Sequence, residues 1–489
     1  MIRISYVGRA VLVTPGEVGE HFHELCTPCP VKRVTEWIED LSTGTSRQIQ
    51  TVKTEASPLY WYDTDDRGRK IFGTLAGYGL EIERQLRKRY ADVQVRSLVD
   101  DGLGEPDLSK LSEVKWRRRQ KGIFAKLLAY RGGMIVCPTG WGKTFMIKLL
   151  ARVYPQARIV VTVASRDIVQ DIYDDLKWDF PRDIGMIGNG KHQPKRLIIA
   201  VAQSLHKCPK DASIILADEC HTLMTKRYTK IFNRFRRAKI FGFTATPSGR
   251  SDRGEGFGHA VFGSEIANVT YQEGVAGGNV VQLRVRVIPS TKGPEVSSIP
   301  NKARADQKAI WCNSERNELI ARAVREVEEE IGPDQQLLVM VDKTEHAYCL
   351  GQLLPEFAIV TGEPTADRVK EMRKRKSMTA DQEICTKRMR EEYRKAFEAH
   401  ELKRAIATGV WSKGVDFRDL AVLVRADGGG SPINSGQVPG RLSRLGRKTQ
   451  KVDGLLIDFF DNFSRNLRSR SESRIRVYRQ NGYEIERVK

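Results

Sequence analysis

Met134-Ile135-Val136-Cys137-Pro138-Thr139-Gly140-Trp141-Gly142-Lys143-Thr144-Phe145-Met146-Ile147-Lys148-Leu149-Leu150 decides how this chain is read. An apolar run enters a glycine-bearing turn that ends in Lys-Thr, and a helix-like run leaves it. That is the strand–loop–helix context of a phosphate-binding loop. Gly140 and Gly142 let backbone N–H groups turn inward, and the amino end of the new helix favours anions. Lys143 is placed for β/γ-phosphate oxygens and the Thr144 hydroxyl for Mg²⁺. Further along, Ser213-Ile214-Ile215-Leu216-Ala217 runs into Asp218-Glu219-Cys220-His221. An apolar strand would deliver Asp218 to a sheet's carboxyl edge as a second metal-side group. Glu219 beside it is positioned to polarise an attacking water. Two such segments in this order, each after an apolar strand, describe a site for ATP and Mg²⁺.

Working outward, strands and helices alternate from Leu108 to about Arg286, as in a parallel α/β layer. Pro289 to Ala305 is looser. A second alternating region follows, with buried-strand runs at Gln336–Val341, Ala358–Val360, Ala405–Ala407, Ala421–Val424 and Gly454–Ile457. Before residue 105, short strands (Ile2–Ile4, Ala10–Val13, Gln48–Val52), the aromatic run Tyr60-Trp61-Tyr62 and a basic helix from about Leu80 to Tyr90 form a small α+β unit. Asp100-Asp101-Gly102-Leu103-Gly104-Glu105-Pro106 reads as a linker. The expected domains are therefore 1–105, 106–288 and 289–489, in line with about three domains for 489 residues. Asp367 to Ala399 reads as a charged helical insertion, either solvated or a basic arm on a nucleic-acid backbone.

Lysine and arginine number 82 against 61 aspartate and glutamate, a formal charge of +21. Such a surplus favours a polyanionic partner, nucleic acid first. No apolar run approaches the roughly 20 residues of a membrane-spanning helix, and the first residues lack a signal-peptide pattern. Eight scattered cysteines fit reduced thiols in a cytosolic setting. His21, His23, Cys26 and Cys29 could supply four zinc ligands. Their cramped spacing favours an ordinary turn with buried thiols, and zinc stays open.

Further motifs resemble those of the superfamily 2 helicases, in the DEAD/DEAH-like group with a DECH variant. The resemblance runs over residues 117–461 and is nearest to DNA-repair and phage recombination helicases. It implies two tandem recombinase-like parallel-sheet motor lobes behind the small α+β domain. Arg117 to Gln120 resembles the element that reads adenine. Ser165 and Arg166, then Gln203 and Ser204, resemble strand-contacting motifs. Phe243-Thr244-Ala245-Thr246-Pro247 resembles the segment that couples hydrolysis to strand contacts, with His221 bridging towards Thr244. In the second half Thr408, Lys413, Gly414 and Asp416 fall in a motif that touches nucleic acid and the ribose side of ATP. Gln437-Val438-Pro439-Gly440-Arg441-Leu442-Ser443-Arg444 matches the Gln-x-x-Gly-Arg-x-x-Arg motif. Arg441 and Arg444, at i and i+3, would share a helix face and suit charge on the transferring phosphoryl group, with Arg444 favoured as the finger. Trp141 stands where a smaller residue is usual and is read as stacking on or shielding the nucleotide.

The resemblance implies an ATP-dependent motor on DNA, single-stranded or branched, acting as a monomer in the cytoplasm of a bacterium or a phage-infected host. Its competitors are a duplex translocase that separates no strands, an RNA helicase, and an ATP-binding clamp that does not cycle. The N-terminal aromatics, the Arg84–Arg89 helix and the basic tail from Arg465 are candidates for substrate choice.

Overall fold

The computed structural model describes all residues except 1, 30, 41–44, 98–101, 165, 246–253, 297, 412–416, 418, 431–438, 441, 443–445, 447–452 and 488–489. For 31–40, 45–54, 166–167 and 487 it describes the backbone alone. The chain divides into two compact units, one of residues 1–137 and 143–269, the other of 138–142 and 270–489.

The first unit is built on an eight-stranded sheet. Its strands lie in the order Lys191–His192, Ile184–Gly188, Leu197–Val201, Ile159–Val163, Ile214–Asp218, Lys239–Thr244, Gly132–Val136, Glu265–Asn268. All neighbours are parallel except the first pair, an edge hairpin. Ile159–Val163 and Leu197–Val201 are buried at every position. Such continuous apolar runs are what a sheet covered on both faces requires. Because the seven strands other than Lys191–His192 run the same way, their carboxyl ends meet at one edge. The phosphate loop, Gln203 and the Asp218–Glu219 pair therefore reach that edge from separate strands.

A second, five-stranded sheet comes from the first hundred residues, in the order Tyr60–Thr64, Lys70–Leu75, Ala10–Thr14, Ile2–Val7, Val93–Ser97. The helix Gly79–Arg89 buries Ile82 and Leu86 in the same core as Ile4, Val11, Val13 and Phe72. A separate hairpin pairs Val31–Asp40 with Thr45–Thr54. This sheet is anchored within the first unit. Tyr78 Oη donates to the Gly256 carbonyl at 3.0 Å, Arg9 Nη2 to the Val261 carbonyl at 2.5 Å, and Ala260 joins the sheet's core.

Strand alternation splits the aromatic run. Tyr60 and Tyr62 pack on Phe72 and His23, with His23 stacked on Tyr60 at 4.3 Å. Trp61 faces the other way over Gly73, where a Cβ would meet the indole at 2.3 Å. His23 Nε2 is hydrogen-bonded to Tyr62 Oη at 2.7 Å, and Cys26 is fully buried, its thiol pushed by burial up to about 11. Among the described residues no group of three or more His, Cys, Asp or Glu side chains is placed to hold a metal ion.

The second unit holds a seven-stranded, all-parallel sheet in the order Ala358–Val360, Arg404–Ala407, Gln336–Met340, Leu420–Arg425, Asp453–Asp461, Gln282–Ser290, Glu484–Arg487. The boundary expected at residue 288 lies earlier, between 269 and 270. Gln282–Ser290 pairs along its whole length with Asp453–Asp461. Its alternating Leu283, Val285 and Val287 suit any sheet, so only a long-range partner could assign it.

The basic tail forms the helix Arg465–Gln480, and its arginines divide. Arg474 is buried in an ion pair with Asp458, and Arg470 pairs with Asp306 at 2.9 Å. Those two serve the core instead of extending a nucleic-acid footprint as expected. The insertion after Asp367 forms the helices Ala366–Lys374 and Lys387–Glu398. Arg368 and Arg375 of this region converge on Glu345, which is fully buried.

Candidate ATP-hydrolysis site

The loop departs from Val136, and the helix Lys143–Val153 carries the chain away. Gly140 and Gly142 have φ of 88° and 115°, values that side chains other than glycine's rarely adopt. The Trp141 N–H donates to the Pro138 carbonyl at 3.2 Å and closes the turn. Trp141 itself is fully buried, which corrects its reading as a nucleotide-stacking group. An indole is large enough to act as a packing anchor for the loop, and this one has no exposed face to offer.

Lys143 Nζ lies 2.6 Å from Asp218 Oδ1 and 3.1 Å from Glu219 Oε1. Burial alone would pull the ammonium's pKa down, but the two carboxylates outweigh it and hold it above its ordinary value. Adjacent strand residues normally point to opposite faces. Here Asp218 ends its strand and Glu219 adopts a left-handed backbone, φ 49° and ψ 47°. That conformation costs about 1–3 kcal/mol in a residue with a side chain. It breaks the alternation, so both carboxylates reach one lysine.

From Glu219 the contacts continue inward. Glu219 Oε2 is 3.4 Å from His221 Nδ1, which is hydrogen-bonded to Thr244 Oγ1 at 3.0 Å. His221 and Thr244 are both buried. The Thr244 carbonyl accepts from the Cys137 N–H at 3.0 Å, at the root of the phosphate loop. Thr244 thus touches His221 through its hydroxyl and the loop through its backbone. The sequence motif carries the first link. The second is a backbone contact between distant strands, with no sequence signal. Cys220 is buried, with its sulfur 2.7 Å from where a Cβ on Gly242 would stand, so it is a packing group as its small size suggested.

Other expected residues are scattered along strand ends. Gln120 is buried, and its Oε1 accepts from the Arg117 N–H at 3.1 Å, so the amide oxygen closes its own turn. Gln203 is exposed and Ser204 half-buried, in the short 3-10 helix Ala202–Lys207. In the second unit Thr408 is buried after the strand Arg404–Ala407, its N–H on the Val360 carbonyl at 3.0 Å. Gly440, also in that unit, abuts the loop segment: a Cβ there would stand 3.1 Å from Thr139 Oγ1. Ser165, Lys413, Gly414, Asp416, Gln437, Arg441 and Arg444 lie outside the described residues, as does the Arg166 side chain.

The donor set fits a nucleotide with magnesium. A hydroxyl at Thr144 and a carboxylate at Asp218 are the hard oxygens that cation takes. Lys143, the two left-handed glycines and the amino end of an 11-residue helix suit phosphate oxygens.

Residues 113–249 match the family model described as "Type III restriction enzyme, res subunit". Over 423 residues the chain is 23% identical to the DNA 3'-5' translocase XPB2 of Sulfurisphaera tokodaii, a match spanning 77% of this chain and 88% of that one. Together these matches support a superfamily 2 helicase. Two solved structures share the fold. A fragment of a putative HsdR subunit of a type I restriction enzyme from Vibrio vulnificus superposes with a TM-score of 0.56 at 18% identity, covering 94% of this chain and 92% of that one. Saccharomyces cerevisiae Dbp5 bound to RNA and ADP BeF3 superposes with a TM-score of 0.52 at 16% identity, covering 79% and 95%. The two parallel-sheet units share the fold of motors with two recombinase-like lobes, and the family matches indicate ATP hydrolysis. Among the chain's described residues no helix is long and apolar enough to cross a membrane.

Proposed function

We propose that this helicase acts on DNA, coupling ATP hydrolysis to translocation on, and unwinding or remodelling of, single-stranded or branched DNA in repair, recombination or replication. The observation that carries the coupling is the unbroken chain of contacts from Lys143 through Glu219 and His221 to Thr244. A polymer contact that shifts the Thr244 segment would act directly on the group that activates water. The XPB2 relative, named as a DNA translocase, and the surplus of +21 support DNA as the polymer.

In this reading Lys143 binds phosphate oxygens, and Thr144 and Asp218 hold Mg²⁺. Bound magnesium would supply charge neutralisation to the phosphates. Glu219 accepts the proton of the attacking water, and Gln437, Arg441 and Arg444 position that water and stabilise charge on the phosphoryl group. Arg117 and Gln120 are assigned to the adenine, and Gly414 and Asp416 to the ribose. Ser165, Arg166, Gln203, Ser204 and Lys413 contact the polymer backbone, so affinity should fall steeply with salt; Thr244 and Thr408, also expected there, are buried and offer it no face. Residues 1–105 select the DNA structure, and the motor proper is a cytoplasmic monomer.

ATP turnover measured with no polymer, single-stranded DNA, duplex, forked DNA and RNA at one salt concentration tests this. Stimulation by forked or single-stranded DNA is expected, with strand displacement on the fork. Stimulation by RNA alone would overturn the DNA assignment, and duplex stimulation without displacement would leave a translocase.

A further inference from the structure

We propose that the first unit carries a second contact for single-stranded nucleic acid, at the amino edge of its parallel sheet and centred on Trp178. The motor motifs occupy the opposite, carboxyl edge. The helix Arg166–Lys177 starts beside them and runs back across the sheet for its 12 residues, about 18 Å. It delivers Trp178 to the far edge, where the indole is 90% exposed. The next most exposed large apolar side chain among the described residues is Leu108 at 56%. Trp61 and Trp411, by contrast, pack against neighbours.

Lys177 adjoins this tryptophan in sequence and Arg182 follows four residues later. Lys177 and Lys191 stand on the Tyr173 ring at 6.0 and 5.9 Å from its centroid. Past the turn, a cavity of about 640 Å³ opens between the strand starts, lined by Arg158, Arg182, Lys195 and Arg196 with Asp183 and Asp211. Arg158 pairs with Asp211, and Arg196 with Asp183 at 3.2 Å. Lys195 Nζ donates to the Arg182 carbonyl at 3.0 Å, and among the described residues neither Arg182 nor Lys195 has a carboxylate partner. Of the acids next to Trp178 in sequence, Asp179 is held by Lys148 and Arg152 and Asp174 accepts from Gln170, while Asp175 lies on the same helical turn. An exposed flat ring on the same sheet edge as two cations without a carboxylate partner, Arg182 and Lys195, suits a base stacked on the ring with its phosphates on the cations. An acidic peptide would use the cations and leave the indole unexplained. The strands between the two edges are five residues long, about 16 Å. A strand held here therefore stays clear of the motor edge and tethers the enzyme to a displaced or flanking strand.

The proposal rests on the nucleic-acid motor reading, and the experiment separates the two. The full-length protein is compared with Trp178→Ala and with the pair Arg182→Glu/Lys195→Glu. Binding of 10- and 40-nucleotide oligo-dT is followed by anisotropy and by tryptophan quenching, with ATP turnover measured at saturating DNA. Both variants should bind the long oligonucleotide about ten-fold more weakly while turnover at saturation is unchanged. Trp178→Ala should also abolish most of the quenching. Unchanged affinity at both lengths overturns the proposal and leaves the motor reading intact. So does displacement of the long oligonucleotide from the motor edge alone, with polyglutamate instead binding in a Trp178-dependent way. A wild-type protein that binds neither oligonucleotide overturns both.

Discussion

Replacing Arg316 by Met should cost the second unit about 3–5 kcal/mol, the range for breaking a buried ion pair from one side. The Arg316 side chain has no exposed surface, and neither has its partner Asp461. Nε and Nη2 reach Asp461 at 2.7 and 3.2 Å, and Nη1 donates to the Ala426 carbonyl at 2.9 Å. Methionine fills part of the volume but leaves the Asp461 carboxylate in the core. The remaining cation near it, Arg474, has Nη2 4.0 Å away and already donating to the Phe459 carbonyl, while its Nε is committed to Asp458. At about 2–4 °C per kcal/mol for a unit of this size, melting of the second unit should fall by roughly 6–20 °C. Adding Asp461→Leu should restore most of the loss, because a matched apolar pair removes the stranded charge. About 1 kcal/mol should persist for the unpaired Ala426 carbonyl. A chain of two units need not melt in one step, so the assay is amide exchange along Asp453–Asp461 in increasing denaturant. A single variant within 1 kcal/mol of wild type, or a double variant no better than the single one, would refute the reasoning.

Lys143→Ala and Glu219→Gln should each lower ATP turnover by at least about 100-fold. Equilibrium binding should show ATP retained by the second variant, and retained turnover in either would sink the assigned site. Thr244→Val keeps the shape but removes the hydroxyl facing His221. Basal hydrolysis should survive while polymer stimulation collapses, read as the ratio of turnover with and without DNA. His346 is fully buried with Nε2 on Asn317 Oδ1 at 3.0 Å, and burial, with Arg316 nearby, holds its pKa well below the ordinary value. The unfolded chain therefore takes the proton first, and stability should fall as pH drops below about 6.5. Denaturant titrations between about pH 7 and 5.5 should show that slope in wild type and a flatter one in His346→Asn. Equal slopes would remove His346 as its source.

The residues proposed to do chemistry lie in short segments, and short segments are legible. Gly140, Gly142 and Lys143 are forced together by one turn, and Asp218 and Glu219 by the end of one strand. Their residue types and spacing suffice to predict phosphate and metal contacts, and the apolar runs before them announce parallel strands. Tertiary structure alone decided the rest. It placed Gln282–Ser290 in the second sheet, buried Trp141, exposed Trp178, and turned Arg316 and Arg474 from apparent surface charge into core ion pairs. A side chain's type fixes what it can bond to. Whether it meets water, a partner strand or a counter-charge is set by segments far away in sequence, and no local pattern encodes their arrival.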